Sequence, residues 1–378
     1  MFKFEEYRLR YFNFRLLLYV ILLLIAGVIF VKSATMNSTG DAVDKKLLGI
    51  AIGSVLMLFV SLVDYHFWLK IWPVIYLGCV GLLVAVLFTD MGAGKETATR
   101  WLDLGPVQIQ PSEFAKIGLI LCLASYYNRF KDKVSSLPVI MGAVALYGVI
   151  ALLVFKQPNL STTLVITFVF VVLVYISGIS YKWVLGVLAA CLPVGGVLVY
   201  SLLQPEQGIL QGYQMNRITA WLHPEQVSAD LTRQVRYSVQ AIASGQLHGK
   251  GLFNTTLESV KNGNFLSEED CDFIFAVIGE EIGFYGSVVI IALFVLLVLE
   301  CIWLAIRAKD LAGRLICMGM GSLIAFQAFV NIGVATRLLP NTGLPLPFIS
   351  AGLSSLLSLM IGMGLVLNVG LQRKRENM

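Results

Sequence analysis

Long apolar runs recur along this chain from one end to the other, and nothing constrains its fold more. Ten stretches, roughly 14–32, 47–63, 69–88, 113–128, 137–155, 160–178, 182–203, 273–300, 313–336 and 348–371, are long and apolar enough to cross ~30 Å of hydrocarbon. Inside hydrocarbon every backbone N–H and C=O must be paired within the protein, which leaves helices and closed barrels. These runs are too long and too uniformly apolar for alternating barrel strands, so they read as helices. With 57% hydrophobic and 13% charged residues and a mean hydropathy of +0.80, the chain falls outside the soluble class. The expected fold is all-α: a polytopic integral membrane protein of about ten transmembrane helices, forming one domain over residues 1–378.

The first run follows Lys3, Arg8, Arg10 and Arg15, as a signal-peptide core would, and Lys32-Ser33-Ala34 resembles a cleavage region. Its length and the cascade of later spans mark it as an uncleaved first helix. Of the six cysteines, five lie in apolar runs, where Cys acts as a small hydrophobe. Only Cys271 borders a long loop, so no disulfide framework is expected. The net charge of +5 is no argument for nucleic acid, and none is expected as a partner.

The distribution of that charge among the loops sets the orientation. One set of connections holds Lys3/Arg8/Arg10/Arg15, Lys70, Arg129/Lys131/Lys133, Lys182, Arg307/Lys309/Arg314 and Arg373/Lys374/Arg375. The other set is sparse: Lys45/Lys46, Lys95/Arg100, Lys156 and Arg337. The positive-inside rule places both termini in the cytoplasm, as an even number of spans requires. The outer side then receives residues 89–112, the short turn 156–160, the long stretch 204–272 between the seventh and eighth spans, and 337–347. Chemistry is therefore expected at the outer face.

The long outer stretch is no simple linker. Residues 213–221 and 231–244 carry apolar side chains at helical spacing, which predicts short helices lying along the membrane surface. Gly245 and Gly249-Lys250-Gly251 interrupt that helical pattern. Tyr213, Arg217, Arg233, Arg236 and Tyr237 make this stretch a candidate phosphate binder, since the arginine fork suits phosphate oxygens. His223 and His248 lack ligand spacing, so no zinc site is expected. Gly249-Lys250-Gly251 lacks the neighbours of a Walker loop.

Three outer connections end alike: Gln110-Pro111-Ser112-Glu113, Gln157-Pro158-Asn159 and Leu344-Pro345-Leu346-Pro347-Phe348 each enter an apolar run through proline. Proline suits a first helical turn, and helix N-termini present free N–H groups and partial positive charge to an anion. Glu113 and Lys116, at i and i+3, share a helix face. They read either as a neutralising ion pair or as a phosphate-directed lysine held by its carboxylate. Arg100, Trp101 and Asp103 precede them.

The stretch CDFIFAVIGEEIGFYG, residues 271–286, closes the long outer loop and opens an apolar run. Asp272 stands at the junction, with Glu280 and Glu281 about two turns further in. A carboxylate at the bilayer centre costs roughly 2.5–3.5 kcal/mol, which makes such residues candidates for function. Asp272 also suits a helix N-cap. Glu280 and Glu281 point about 100° apart on a helix, so one of them is expected to be structural.

Four blocks carry a resemblance: WLDLGPVQIQPSEFAK (101–116), AIASGQLHGKG (241–251), DFIFAVIGEEIGFYG (272–286) and LPNTGLPLPFISAGLSSL (339–356). They resemble, in order, the signature blocks of the SEDS proteins, the RodA/FtsW/SpoVE-type membrane glycosyltransferases of bacterial cell-wall synthesis. The short termini lean toward the RodA-like branch. The resemblance implies polymerisation of lipid II at the outer face of the bacterial cytoplasmic (inner) membrane, in cell elongation or division. It matches the family's essential aspartate to Asp272 and its loop glutamate and lysine to Glu113 and Lys116. Arg100 and Arg217, basic residues of the outer loops, and Ser350 in the last block complete the candidate substrate site. A divalent cation, Mg²⁺ or Mn²⁺, with Asp272 as a possible ligand, is also implied. The implied partners are a class B penicillin-binding protein and other elongation or division proteins.

The chain departs from the family pattern at Asn159 and Ser161 (usually Asp and Gly), at Ser350-Ala351-Gly352-Leu353 (usually Ser-Tyr-Gly-Gly), at Tyr237 (usually Gln), at Ser267 (usually Pro) and at Arg337 (usually Gly). The expected mechanism is a single inverting displacement. Asp272 takes the proton of the acceptor hydroxyl, while Lys116, an arginine such as Arg217 and the cation neutralise the departing pyrophosphate. A lipid II flippase or other membrane transporter is the alternative, since intramembrane carboxylates also suit transport. The one-sided loop and the lack of an internal repeat stand against it.

Overall fold

The computed structural model describes residues 12–36, 41–88, 100–103, 108–157, 159–183, 185–186, 212–227, 229–254, 259 and 270–372. Twelve α-helices are described: α1 (Phe14–Ala34), α2 (Ala42–Leu62), α3 (Tyr65–Lys70), α4 (Trp72–Phe88), α5 (Pro111–Arg129), α6 (Leu137–Lys156), α7 (Leu160–Ile176), α8 (Gly212–Leu222), α9 (Ala229–Gly245), α10 (Ile274–Arg307), α11 (Leu311–Ala335) and α12 (Leu353–Leu371). Two two-residue strands, β1 (Leu102–Asp103) and β2 (Gln108–Ile109), pair antiparallel just before α5. They are a small departure from the all-α expectation.

Six helices, α1, α2, α6, α10, α11 and α12, are long and apolar enough to cross a membrane, and α4 and α7 are shorter apolar helices. Their outward faces carry a belt of exposed large hydrophobics such as Ile25, Val55, Leu77, Leu152, Val171 and Leu299. That much apolar surface, matched to helices of spanning length, makes this an integral membrane protein. The expected span at 182–203 lies almost wholly outside the described residues. So do the basic residues at 3–10 and 373–375.

The bundle is organised around α5, α11 and α12. α12 packs on α2, α11 and α5, while α11 packs on α10, α7 and α5. Small residues set the close approaches: a Cβ on Gly319 of α11 would stand 2.8 Å from Ile120 of α5, and one on Gly364 of α12 2.6 Å from the Met57 carbonyl of α2. Among the helices of 18 or more residues α5 is the least apolar, yet nearly all of its first three turns are buried. Enclosed by protein on every side, it can carry Glu113 and Lys116 where a lipid-facing helix could not.

Three expected boundaries shift. The run at 69–88 is broken at Ile71, because Pro73 offers no amide to the carbonyl four residues back, and α4 restarts with the Val74 and Ile75 amides on the Ile71 carbonyl. The run at 348–371 becomes helical only at Leu353, so Pro345 and Pro347 start no helix and lie in an ordered loop with Phe348 at φ 62°. Lys46 belongs to no loop: it is buried in the second turn of α2, where its Nζ donates to the carbonyls of Phe348 (2.6 Å) and Ser350 (2.7 Å). The short helices expected in the long loop are α8 and α9.

At the end of the bundle remote from Asp272, one polar cluster ties three connections together. His66 Nδ1 meets Asp64 Oδ1 at 2.8 Å and Nε2 meets Asp310 Oδ2 at 3.1 Å. Tyr65 donates to Asp310 at 3.0 Å, and Gln372 donates to Asp64 at 3.1 Å.

Candidate active site

The turn ahead of α10 is held by three successive carbonyls. Asp270 O accepts from the Ala351 amide at 3.0 Å, Cys271 O from Ser350 Oγ at 2.6 Å, and Asp272 O from Asn331 Nδ2 at 2.8 Å. Asn331, buried in α11, also donates to Leu344 O at 2.7 Å. One side chain thus fastens the Asp272 turn to the loop 340–352. Lys46 secures that loop from below, and Ser350 closes it through the Leu346 amide at 2.8 Å. Phe273, not Asp272, is the N-cap residue of α10, and its side chain makes no capping bond. The N-cap expectation for Asp272 is therefore corrected, and Asp272 instead lines a cavity.

That cavity has a volume of about 330 Å³, and its lining includes Arg100, Gln110, Glu113, Arg217, Asp272 and Gly343. Gly343 has φ 69°, and a Cβ there would lie 3.1 Å from Asp272 Oδ2 and 3.9 Å from Arg217 Nη1. Glycine keeps this notch open for the carboxylate and the guanidinium together. Arg217, on α8, donates to the Asn341 carbonyl at 3.1 Å, and Arg100 donates to Gln157 O at 3.2 Å. Both cations are thereby oriented by backbone acceptors.

Glu113 enters from the first turn of α5, which begins at Pro111 as the proline pattern predicts. The Gln110 amide donates to Ser354 Oγ at 3.0 Å, which locks the α5 entry to the start of α12. Glu113 Oε1 accepts from Lys116 Nζ at 2.7 Å, and each side chain is only 2% exposed. Glu113 Oε2 is buried with no hydrogen-bond partner among the described residues. Lys116 thus stands behind Glu113 and donates a hydrogen bond to it, while Glu113 lines the cavity. Asn159 also lines it and caps α7 through the Thr162 amide at 3.2 Å; Pro158 lies outside the described residues.

Of the residues picked from sequence, Arg100, Glu113, Arg217 and Asp272 meet in one cavity, Lys116 sits one step behind it, and Ser350 is engaged with the Cys271 carbonyl beneath it. Sequence reasoning missed Asn331 and Lys46. A lone asparagine in an apolar helix was the available signal for the first.

Glu280 and Glu281 are both structural. α10 breaks at Gly283 (φ 62°, ψ −161°), and the turn 246–251 docks on the break. The amides of Lys250 and Gly251 donate to the carbonyls of Glu280 (2.9 Å) and Glu281 (3.0 Å), and the amides of Phe284 and Tyr285 to Gln246 O (2.8 Å) and Leu247 O (3.2 Å). Lys250 Nζ pairs with Glu280 at 2.8 Å, and Ser33 of α1 donates to Glu281. The segment after the break, at ~1.5 Å per residue, is long enough to cross ~30 Å by itself.

The family resemblance implies a divalent cation. Among the described residues no group of three His, Cys, Asp or Glu side chains is placed to hold a metal. Two carboxylates lining one cavity, one with an unpartnered buried oxygen, nevertheless suit a hard cation of the Mg²⁺ type, which takes one or two protein carboxylates and completes its shell from substrate phosphate and water.

Comparison with known proteins fits this geometry. The family model for cell cycle proteins of the FtsW/RodA/SpoVE type matches residues 14–375. The peptidoglycan glycosyltransferase MrdB of Escherichia coli is 34% identical over 362 residues, covering 95% of this chain and 93% of that protein. A chain solved within a peptidoglycan synthase complex superposes with a TM-score of 0.78 at 27% identity, covering 95% of this chain and 97% of the other. The rod shape determining protein RodA of Thermus thermophilus superposes with a TM-score of 0.68 at 26% identity, covering 97% and 98%. The chain belongs to the FtsW/RodA/SpoVE family of cell cycle proteins.

Proposed function

We propose that this chain is a peptidoglycan glycosyltransferase that polymerises lipid II at the extracytoplasmic face of the bacterial cytoplasmic membrane, in cell elongation or division. About ten spans with both termini inside, by the lysine and arginine asymmetry, put the Asp272 cavity on that face. The observation that carries the reading is the Gly343 notch, where the Asp272 carboxylate and the Arg217 guanidinium lie against one backbone position in a cavity that also holds Arg100 and Glu113.

The donor is a glycan chain on undecaprenyl pyrophosphate, and the acceptor is the sugar hydroxyl of lipid II. Asp272 accepts the hydroxyl proton as the acceptor oxygen bonds to the donor's anomeric carbon, and the bond to the pyrophosphate oxygen breaks with inversion. The leaving pyrophosphate carries away the electron pair, so no protonated acid is required. Arg217 and Arg100, already aimed by backbone carbonyls, meet its developing charge. Glu113, steadied by Lys116, and Asp272 would hold a divalent cation, Mg²⁺ or Mn²⁺, which would add positive charge against the same leaving group. A class B penicillin-binding protein is the proposed partner for cross-linking the strands, alongside other elongation or division proteins.

The test is polymerisation of lipid II by the purified full-length chain, with and without divalent cation. Asp272→Asn is expected to abolish polymer while leaving the melting temperature near wild type. Polymer formed by the variant at the wild-type rate refutes the base assignment. Transport of lipid II across sealed liposomes without polymer moves the chain to the transporter class.

A further inference from the structure

A second and larger cavity, about 710 Å³, adjoins the first and shares Arg217, Gln234 and Asn341 with it. Its walls come from α8, α9, the turn between them and the turn after α11. They carry three guanidinium groups, Arg217, Arg236 and Arg337, against one carboxylate, Glu225. That carboxylate already stands 3.6 Å from the His223 ring. Among the described residues the Arg236 and Arg337 side chains engage in no hydrogen bond or ion pair.

Arg337 is the informative member. Thr336 caps α11, and Arg337 follows with φ 63°, the left-handed position at which helices favour glycine. Its backbone has no freedom to relax: the amide donates to Val334 O at 3.0 Å and the carbonyl accepts from Trp221 Nε1 at 3.2 Å. The chain therefore carries a large cationic side chain at a place where the backbone disfavours any side chain, and that residue lines the cavity. Guanidinium forks pair with the paired oxygens of phosphates and carboxylates.

We infer that the larger cavity is an anion-binding chamber in which Arg236 and Arg337 grip phosphate or carboxylate oxygens of a substrate whose reacting end lies beyond Arg217 at Asp272. The source of the ligand rests on the proposed function; the charge of the chamber does not.

The experiment uses the full-length chain in detergent. Binding of inorganic pyrophosphate, and separately of a blocked diglutamate peptide, is measured by titration calorimetry for wild type, Arg337→Gly, Arg337→Lys and Arg236→Gln. Arg337→Gly suits the left-handed backbone and is expected to melt no lower than wild type, so weakened binding cannot be blamed on misfolding. One probe is expected to bind wild type in a salt-dependent manner. Loss of one charge-assisted fork is expected to weaken it about tenfold in Arg337→Gly and in Arg236→Gln, with Arg337→Lys intermediate. Which probe binds separates a phosphate from a carboxylate source. In the polymerisation assay the KM for lipid II is expected to rise severalfold with kcat held within about twofold. No binding of either probe to wild type, or equal binding by wild type and Arg337→Gly, overturns the chamber. A wild-type chain that makes no polymer, but whose probe binding falls in Arg337→Gly, overturns the assigned reaction and leaves the chamber standing.

Discussion

Asn331 donates its side-chain amide to the backbone carbonyl of Asp272 at 2.8 Å, from the interior of a different helix. The same amide holds Leu344 O at 2.7 Å, so one residue sets the spacing between the Asp272 turn and the loop that faces it. Asn331→Ala leaves one buried and one part-buried carbonyl short of a donor, at a cost of ~1–3 kcal/mol. It should lower the melting temperature modestly and kcat by about tenfold or more, with the KM for lipid II little changed, because positioning of Asp272 is what is lost. Asn331→Gln, which keeps the donor on a longer stem, should recover part of kcat. Steady-state polymerisation rates with a thermal melt check both.

Gly343→Ala places a methyl group 3.1 Å from Asp272 Oδ2 and forces a side chain into the left-handed region. The backbone strain alone is worth ~1–2 kcal/mol. Activity should fall much further than stability, because the displaced group is the carboxylate itself. Polymer yield comparable to wild type would mean that the notch does not set the Asp272 position.

Lys250→Met removes the partner of a carboxylate that is 3% exposed. Breaking a buried pair by removing one partner typically costs ~3–5 kcal/mol, so the variant should melt well below wild type. Lys250→Met combined with Glu280→Gln should regain much of that loss, since the carboxylate charge is gone too. Non-additivity in this double-mutant cycle, read from melts in detergent, checks the pair.

His66 is the group through which stability at the opposite end should depend on pH. Its bond to Asp310 raises its pKa, burial opposes this, and the bond to Asp64 adds to it. A raised histidine pKa contributes stability that is fully present below the unfolded value, near 6.5, and fades as pH climbs through the folded value. Asp64 and Asp310 are depressed: burial works against ionisation but is outweighed by bonds from His66 and, respectively, Gln372 or the Gly313 amide. Their contribution is present above the unfolded value, 3.8, and fades as pH falls through the lowered one. The melting temperature should therefore decline on the alkaline side of 6.5, and His66→Gln should flatten that decline. An unchanged alkaline profile in the variant would remove His66 from the account.

The apolar helices and the residues that meet in the cavity were legible in the sequence for one physical reason: each stands out where it is. Asp272, Glu113 and Lys116 are ionisable groups beside apolar runs, and that contrast is visible in one dimension. The devices that position them are not, because their acceptors are backbone carbonyls. Nothing in the residues 270–272 announces that Ala351, Ser350 and Asn331 will bond to them in turn. Proline was over-read at Pro345 and Pro347, whose helix begins only at Leu353, since a proline before an apolar run signals a turn as readily as a first helical turn. The pairing of the turn 246–251 with the Gly283 break was likewise hidden: Gly249 meets a segment more than thirty residues away, where a Cβ on it would stand 2.2 Å from the Glu281 carbonyl.

That break also dictates an order of assembly. Backbone groups left unpaired in a membrane cost several kcal/mol each. The carbonyls of Glu280 and Glu281 and the amides of Phe284 and Tyr285 find their partners in the turn 246–251. This turn precedes α10 in the chain, so it has left the ribosome before the helix it must plug. Seating of the helix and docking of the turn are therefore coupled. Asp272, which lies between the two segments in sequence, gains its place later still, once Asn331 and the loop carrying Ser350 have been made and have packed behind it. In a chain still short of α11, the Asp272 carbonyl has yet to meet the Asn331 amide.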